Sequence, residues 1–446
     1  MPFISNTSED RAEMLKEIGV SSFEELIQSI PEEVRLKGLL NLPEAMSEYD
    51  VVKELTNYAK KNKSADTYTC FLGGGVYDHF IPSIVGSVLE KPEFKTAYTP
   101  YQAEVSQGTL QAMYEYQSMI CQLSGMDVSN ASMYDGASSL AEACLLANAQ
   151  NRRTEFIFAG SINPNYLNVI ETVCQGKDFT FKSFVAEDGT CDLAGLSAAV
   201  TETTSAVIVQ QPNVYGNLED VYEIEKIAHS KKALFVVAAA PISLGILEAP
   251  GKYNADILVA EGQSLGLNMN YGGPYLGVFA IKNDLVRKMP GRVAGVTQDL
   301  DGKRGFVLTL QTREQQIKRE KATSNICSNQ GLMMLASAVY MTAMGKQGIK
   351  EVAERCFEAA HYLADQIKKI KGFSLLNDKP FFMEFLVKTP VPAAKIIEEA
   401  EKEGILAGID TSRFAECKEG LLIAVTEKRT KEEIDKLIDV LKTFAS

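Results

Sequence analysis

Three stretches of the chain hold residues whose types and spacing suit chemistry. Tyr134-Asp135-Gly136-Ala137-Ser138-Ser139 runs directly into the apolar pattern Leu140-Ala141-Glu142-Ala143. Small and hydroxylated residues at the head of a helix leave backbone N–H groups pointing outward at the positive end of its dipole, which makes an anion site. The same residues also make an ordinary cap. Phe71-Leu72-Gly73-Gly74-Gly75-Val76-Tyr77 is a glycine cluster. A dinucleotide fingerprint needs a further glycine where Asp78 stands and an acidic partner about 20 residues on. The expectation is therefore a tight turn that brings backbone close to a ligand or a neighbouring strand, with Gly74 and the nearby His79 as candidate contacts. The third stretch, Tyr98 to Gly108, gathers Tyr98, Tyr101, Gln102, Glu104 and Gln107 around Pro100. Such an amphipathic loop suits a site wall or a subunit interface.

The remaining reactive residue types offer less. Gly302 to Gln330 is dense in charge, and its Thr323, Ser324 and Asn325 either cap the following helix or line a cleft. His229 precedes Lys231-Lys232 and reads as exposed, and His361 lies in a helical pattern, which leaves His79 as the histidine placed to touch a ligand. Eight cysteines, at 70, 121, 144, 174, 191, 327, 356 and 417, form no CxxC pair. With three histidines beside them, neither a zinc site nor a disulfide framework is expected, only free thiols.

These residues need elements to position them. From about Thr67 onward, apolar runs of strand length alternate with helical patterns: 155–158, 206–209, 234–237, 256–259 and 276–281. Continuous β-branched and aromatic runs suit strands buried on both faces. Leu218, Val221, Ile224, Ile227 and Ala228 recur at helical spacing, so strand 206–209, helix 218–230 and strand 234–237 form a βαβ unit in a largely parallel sheet. Before this region, Ser22 and Glu25 suggest a capping box on a short helix, and Glu54 to Lys63 reads as a second helix. After it come helical patterns at Leu332–Met344 and Ile349–Ile370. Strand Phe381–Val387, helix Ala393–Glu403, strand Leu421–Val425 and a helix from Lys431, capped by Thr430 and Glu433, complete the chain. The expected division is an N-terminal helical arm (1–65), a large α/β domain (66–325) and a small C-terminal α+β domain (326–446). Many pyridoxal-phosphate (PLP) enzymes of the aspartate aminotransferase type share this layout, which is an analogy of fold. In them the cofactor phosphate sits at a helix head such as the one at Gly136.

The 446 residues carry 58 acidic against 45 basic side chains, for a net charge of −13. Phosphate neutralisation needs clustered Lys and Arg, so a non-specific nucleic-acid binder is excluded. No run reaches the roughly 18 apolar residues of a membrane span. Met1 to Asp10 shows neither the basic nor the apolar segment of a secretory leader, so a cytoplasmic location is expected.

Four ordered motifs resemble one family. YTPYQAEVSQG (98–108), YGGPYLGVFA (271–280), MPGRVAGVTQD (289–299) and LQTREQQIKREKATSNIC (310–327), with Glu33-Val34-Arg35-Leu36-Lys37 near the start, are similar to the N-terminal half of the glycine cleavage system P-protein, glycine dehydrogenase (decarboxylating). The resemblance spans nearly the whole chain. In many bacteria that enzyme is split into two chains, and this length and content look like its subunit 1, the α subunit. The resemblance implies a complex, a heterotetramer with a β subunit (subunit 2), that decarboxylates glycine. The aminomethyl group would pass to the lipoyl group of the H-protein with release of CO2.

PLP enzymes need a lysine for the Schiff base, an acidic partner for the pyridine nitrogen and usually a ring over the cofactor face. In the catalytic half of this family the lysine stands in an Asn-x-His-Lys context before a glycine-rich turn. The matching place here is Glu261-Gly262-Gln263-Ser264, ahead of Tyr271-Gly272-Gly273-Pro274. Ser264 stands where the lysine should be, and a hydroxyl cannot form an imine. The aspartate expected after strand 234–237 is replaced by Ala238-Ala239-Ala240-Pro241, and Gly160-Ser161-Ile162-Asn163-Pro164 contains no ring-covering histidine. The expectation is a chain that folds like a PLP enzyme, binds no cofactor and holds no catalytic residue, with PLP on the β subunit. Its part would be to complete the partner's site and supply much of the subunit interface, with Tyr98 and Tyr101 lining the shared cleft. Two other readings stand beside it: a self-sufficient PLP homodimer using Lys321 or Lys252, and an inactive scaffold or regulatory paralogue.

Overall fold

The computed structural model describes residues 5–326, 330–414 and 417–445. By internal contacts the chain divides into two compact units, Met1–Lys63 and Ser64–Ser446. The first holds helices Ser8–Ile18, Phe23–Leu26 and Glu48–Ala59, none of which contains a buried residue. The box at Ser22 is only half made. Ser22 accepts from the Glu25 N–H at 3.2 Å, but the Glu25 carboxylate turns to the Ser21 N–H (2.8 Å) and hydroxyl (2.9 Å). The helix expected at 54–63 begins earlier, because Ser47 caps it by accepting from the Asp50 N–H, and it ends before the lysine-rich turn.

The second unit is built on a seven-stranded sheet of β1 (Val128–Ser129), β2 (Glu155–Ala159), β3 (Thr180–Phe184), β4 (Thr204–Gln211), β5 (Leu234–Ala239), β6 (Ile257–Glu261) and β7 (Gly277–Ile281). Their order across the sheet is β1-β7-β6-β5-β4-β2-β3. The five strands from β3 to β6 are parallel, and β7 runs antiparallel to both its neighbours. Successive residues feed two separate cores. Val207, Val209, Phe235, Val237 and Leu258 enter one, while Ala206, Ile208, Val236, Ile257 and Val259 enter the other. A strand covered on both faces is apolar at every position, which is why these segments appear as unbroken runs rather than alternations.

Helix α1 (Gly136–Asn151) covers the second face and is apolar nearly all round, as a fully packed helix must be. Helix α2 (Val221–Ser230) begins at Val221 rather than 218, since Asp220 accepts from the Glu223 N–H at 3.1 Å and fixes the start. Helix α3 (Gly331–Ile367) joins the two expected helical patterns across a break at Gly345, whose φ of 60° and ψ of −176° are not helical. Beyond it, β8 (Ser374–Leu375), β9 (Glu384–Lys388), β10 (Ile409–Asp410) and β11 (Leu421–Ala424) form an antiparallel sheet in the order β8-β9-β11-β10. Helices α4 (Ala393–Lys402) and α5 (Lys431–Lys442) bury Ile396, Leu437 and Leu441 in the same core as β9 and β11. The Thr430–Glu433 box forms as expected. Phe381 to Met383 fall outside the strand, and the Phe382 N–H bonds the Gly216 carbonyl instead. Among the described residues no helix is long and apolar enough to cross a membrane. Seven cysteines are free thiols, and Cys327 lies outside the described residues.

Candidate functional site

In a parallel α/β sheet the crevice beyond the carboxyl ends of the strands is where ligands bind. Here that crevice is a cavity of about 50 Å³ at the ends of β4, β5 and β6. Gln210, Ala238, Ala239, Ala240, Glu261 and Ser264 come from the strand ends, and Gly75, Tyr77 and Glu384 wall it from the glycine turn and β9. One water needs about 10–15 Å³ in such a cavity, so this one holds a few waters or a small group.

The glycine turn is shaped by a carboxylate. Gly74 donates its N–H to Glu384 Oε1 at 2.6 Å, and the Tyr77 hydroxyl donates to Oε2 at 2.9 Å. A Cβ on Gly73 would lie 2.0 Å from Glu384 Oε1, and Gly74 and Gly75 have φ of 75° and 111°. The cluster therefore exists to let backbone close around a buried acid. Asn163 steadies the turn from β2's loop by donating to the Gly74 carbonyl at 2.8 Å. Gln263 ties Tyr77 on the other side, accepting from its N–H at 2.9 Å and donating to its carbonyl at 3.0 Å.

The head of α1 is likewise built. Asp135 and Ser138 form a reciprocal capping box, with the Ser138 N–H donating to Asp135 Oδ1 at 2.7 Å. The Gly136 N–H is left for another acceptor, and Glu261 Oε2 takes it at 3.0 Å. Glu261 Oε1 accepts from the Gln263 N–H at 3.0 Å and the Leu276 N–H at 3.3 Å. Burial pushes Glu261 up to about 7 despite these donors, and does the same to Glu384. Tyr77 is driven well up by burial and by the charge of Glu384. Ser264 is 5% exposed, and its hydroxyl finds no partner among the described residues. The cavity can bind by hydrogen bonding and exchange protons near neutral pH, but its described lining includes no lysine, histidine or cysteine to act as a nucleophile.

The residues singled out in the sequence are not gathered into one place within this chain. Gly74 belongs to the glycine turn against Glu384. His79 is buried elsewhere, its Nδ1 2.7 Å from Glu427 Oε2, a carboxylate that also accepts from the Phe80 N–H at 2.7 Å and the Cys356 thiol at 3.3 Å. Burial opposes ionisation of Glu427, but the His79 contact and the Phe80 N–H hold it below the usual carboxylate range. Tyr98 is 96% exposed, Gln102 and Glu104 are exposed, and none of them lines the cavity. Tyr101 is half-buried under the Arg292 guanidinium, 4.0 Å from its ring centroid, and Arg292 reaches Glu314 at 3.5 Å. Gln107 pairs both ways with the Phe306 backbone, and Arg313 donates to the Gly291 carbonyl at 3.0 Å. The segments 98–108 and 310–326 thus both lock onto 289–299. Lys252 and Lys321 are exposed and stand outside the cavity lining.

Of the other two histidines, His361 lies in helix α3 as expected and His229 differs from its expected setting. His229 is not a solvated residue: it bridges Glu225 and Asp256, at 2.6 and 2.7 Å, and the Asp256 bond raises it above its ordinary value. His361 is stacked between Phe357 and Phe381. Ser324 contacts Glu142, which burial pushes up to about 7. Sequence reasoning missed Glu384. Its signal was an acid inside the apolar run Phe381-Phe382-Met383-Glu384-Phe385-Leu386-Val387, a position that demands internal partners.

The family model of the glycine cleavage system P-protein matches residues 1–441. A Chloroherpeton thalassium protein named probable glycine dehydrogenase (decarboxylating) subunit 1 is 54% identical over 442 residues, covering 99% of each chain. A Chlorobaculum parvum protein of the same name is 55% identical over 445 residues, covering 100% of each. Among solved structures, a glycine decarboxylase (P-protein) of the glycine cleavage system in inhibitor-bound form is 40% identical with a TM-score of 0.87, covering 100% of each chain. A Thermococcus onnurineus cysteine desulfurase, 16% identical over 91% of this chain and 99% of its own with a TM-score of 0.64, shares the fold.

Proposed function

The chain belongs to the glycine cleavage system P-protein family, in the role of the α subunit of the two-chain glycine dehydrogenase (decarboxylating), and from that premise we propose that it works without PLP of its own. The observation that carries this reading is Ser264, which the family resemblance sets at the place of the Schiff-base lysine and which lines the cavity. Ala238, Ala239 and Ala240 put methyl groups where a carboxylate would meet a pyridine nitrogen. Glu261 lies across the helix head where a phosphate would sit. These residues do not fit the cofactor.

The split enzyme requires subunit 2, and PLP is assigned to that chain. In this reading the present chain contributes a folded counterpart to the catalytic subunit, in a heterotetramer located in the cytoplasm. Tyr98, Tyr101, Gln102 and Glu104 would face the partner rather than this chain's own cavity. The assembled enzyme decarboxylates glycine, releases CO2 and passes the aminomethyl group to the lipoyl group of the H-protein. Reconstitution tests the reading: this chain, subunit 2 and lipoylated H-protein should together exchange bicarbonate into glycine, while this chain with H-protein alone should not. Full activity from this chain without subunit 2 would refute it.

A further inference from the structure

Three backbone N–H groups from three separate segments converge on one side chain. Gly136 at the head of α1, Gln263 after β6 and Leu276 before β7 all donate to the Glu261 carboxylate, at 3.0, 3.0 and 3.3 Å. The fit is close. A Cβ on Gly136 would lie 2.8 Å from the Glu261 backbone nitrogen and 2.5 Å from the Tyr166 hydroxyl, so only glycine allows this approach. Three such donors left unpaired in a buried place would each carry the cost of an unmade hydrogen bond. Glu261 also lines the cavity into which the partnerless, 5%-exposed Ser264 hydroxyl is built. A helix head with further convergent N–H groups is the form of a phosphate cradle.

We propose that Glu261 is a built-in anion that fills this cradle in place of a phosphate, so that a chain without its carboxylate binds inorganic phosphate at the head of α1. The inference rests on the reading that the chain holds no PLP, and goes further by naming the group that closes the site. It separates two ways of losing a cofactor. Ser264 removes the covalent attachment, whereas Glu261 removes the anion subsite even for a ligand that needs no lysine. The Asp135 carboxylate faces the same helix head and opposes a second anion, so phosphate should bind in the millimolar rather than the micromolar range.

The test compares thermal midpoints of the full chain in inorganic phosphate and in chloride at matched ionic strength, well above pH 7 so that Glu261 is ionised. Glu261→Ala should melt several degrees higher in phosphate than in chloride, because a ligand of the folded state alone stabilises it by mass action. The wild type should show only the small rise that phosphate, as a kosmotropic anion, gives a folded protein without a site for it. Glu261→Gln keeps an acceptor in the cradle and should show no more than that, which ties the excess in Glu261→Ala to occupancy rather than to a general change in stability. If Glu261→Ala does not fold in chloride, its refolding yield should be rescued by phosphate. A rise no larger than the wild type's for the folded Ala variant, absence of rescue for an unfolded one, or phosphate binding by the wild type would each overturn the proposal. None of these outcomes depends on whether the wild type takes up PLP, so failure here is distinct from failure of the functional reading.

Discussion

In the cavity, each charged side chain is satisfied from within the chain: Glu261 by three backbone N–H groups, Glu384 by Gly74 and Tyr77. In Met1–Lys63 the balance is reversed. Its helices bury nothing, and Leu39 and Leu42 are 95% and 71% exposed, with Val34, Leu36, Leu40, Met46 and Tyr49 also open. A catalytic site normally leaves charged groups aimed at a substrate, and a self-contained surface normally covers its leucines. This chain does the opposite in both regions. The unsatisfied groups of Met1–Lys63 are thus apolar side chains at its surface, which is what a subunit completed by another chain requires.

The largest expected effect breaks the comparison at the arm. Leu39→Asp with Leu42→Asp should weaken association with subunit 2 by about 100-fold or more, in the range of interface hot spots, while leaving the isolated chain's melting temperature unchanged. Analytical ultracentrifugation of the mixed chains measures this; undiminished binding would show that these leucines are not interface residues. In the wild type, adding subunit 2 should raise the thermal midpoint, as any partner of the folded state must.

A smaller effect sharpens the account of the cavity. Glu142, Glu219, Glu261 and Glu384 are all pushed up to about 7 by burial, from an ordinary 4.5. Between those values the folded chain holds protons that the unfolded chain has released, so stability should fall as pH rises through the window and level off above it. His229, raised by Asp256, acts in the same direction, while Asp256 and Glu427, held low, act below it. Glu384→Gln should remove up to about 1.4 kcal/mol per pH unit from that slope. Urea unfolding at several pH values reads it directly, and an unchanged slope would mean Glu384 is already ionised.

Two conservative changes should do less. Tyr101→Phe keeps a ring beneath Arg292, so stability and assembly should stay within about 0.5 kcal/mol. Turnover of the reconstituted enzyme should drop several-fold through loss of the hydroxyl, and a wild-type rate would remove Tyr101 from the shared cleft. Ser264→Ala deletes a buried hydroxyl that has no partner among the described residues. It should leave glycine–bicarbonate exchange within a few-fold and shift stability by no more than about 1 kcal/mol. A loss of several orders of magnitude would make Ser264 catalytic.

Much of the frame was legible because both faces of the sheet are covered: β4, β5 and β6 announce themselves as unbroken apolar runs, and the Thr430–Glu433 cap is a local signal. Helix starts at Val221 and Glu48 were misjudged where an Asp or Ser cap, not the apolar period, set the boundary. The glycine cluster was recognised as a close approach, but its partner Glu384 lies 310 residues away from Gly74, a contact no local pattern encodes. The sequence marks Gly136 as part of an anion site and Glu261 as part of a motif position. Only the fold brings the second onto the first. Tyr98 to Gly108 is rich in polar side chains around two tyrosines, and the structure ties Tyr101 to Arg292 while leaving Tyr98 in solvent.

The chain has the fold of PLP enzymes, and we propose that it lacks their site. The purified wild-type chain, incubated with excess PLP, dialysed and treated with borohydride, tests that proposal most directly. The account predicts no retained visible absorption and no pyridoxyl-modified lysine by peptide mass spectrometry, whereas subunit 2 handled in parallel shows both. Stoichiometric labelling of one lysine in this chain, Lys252 or Lys321 included, would contradict it.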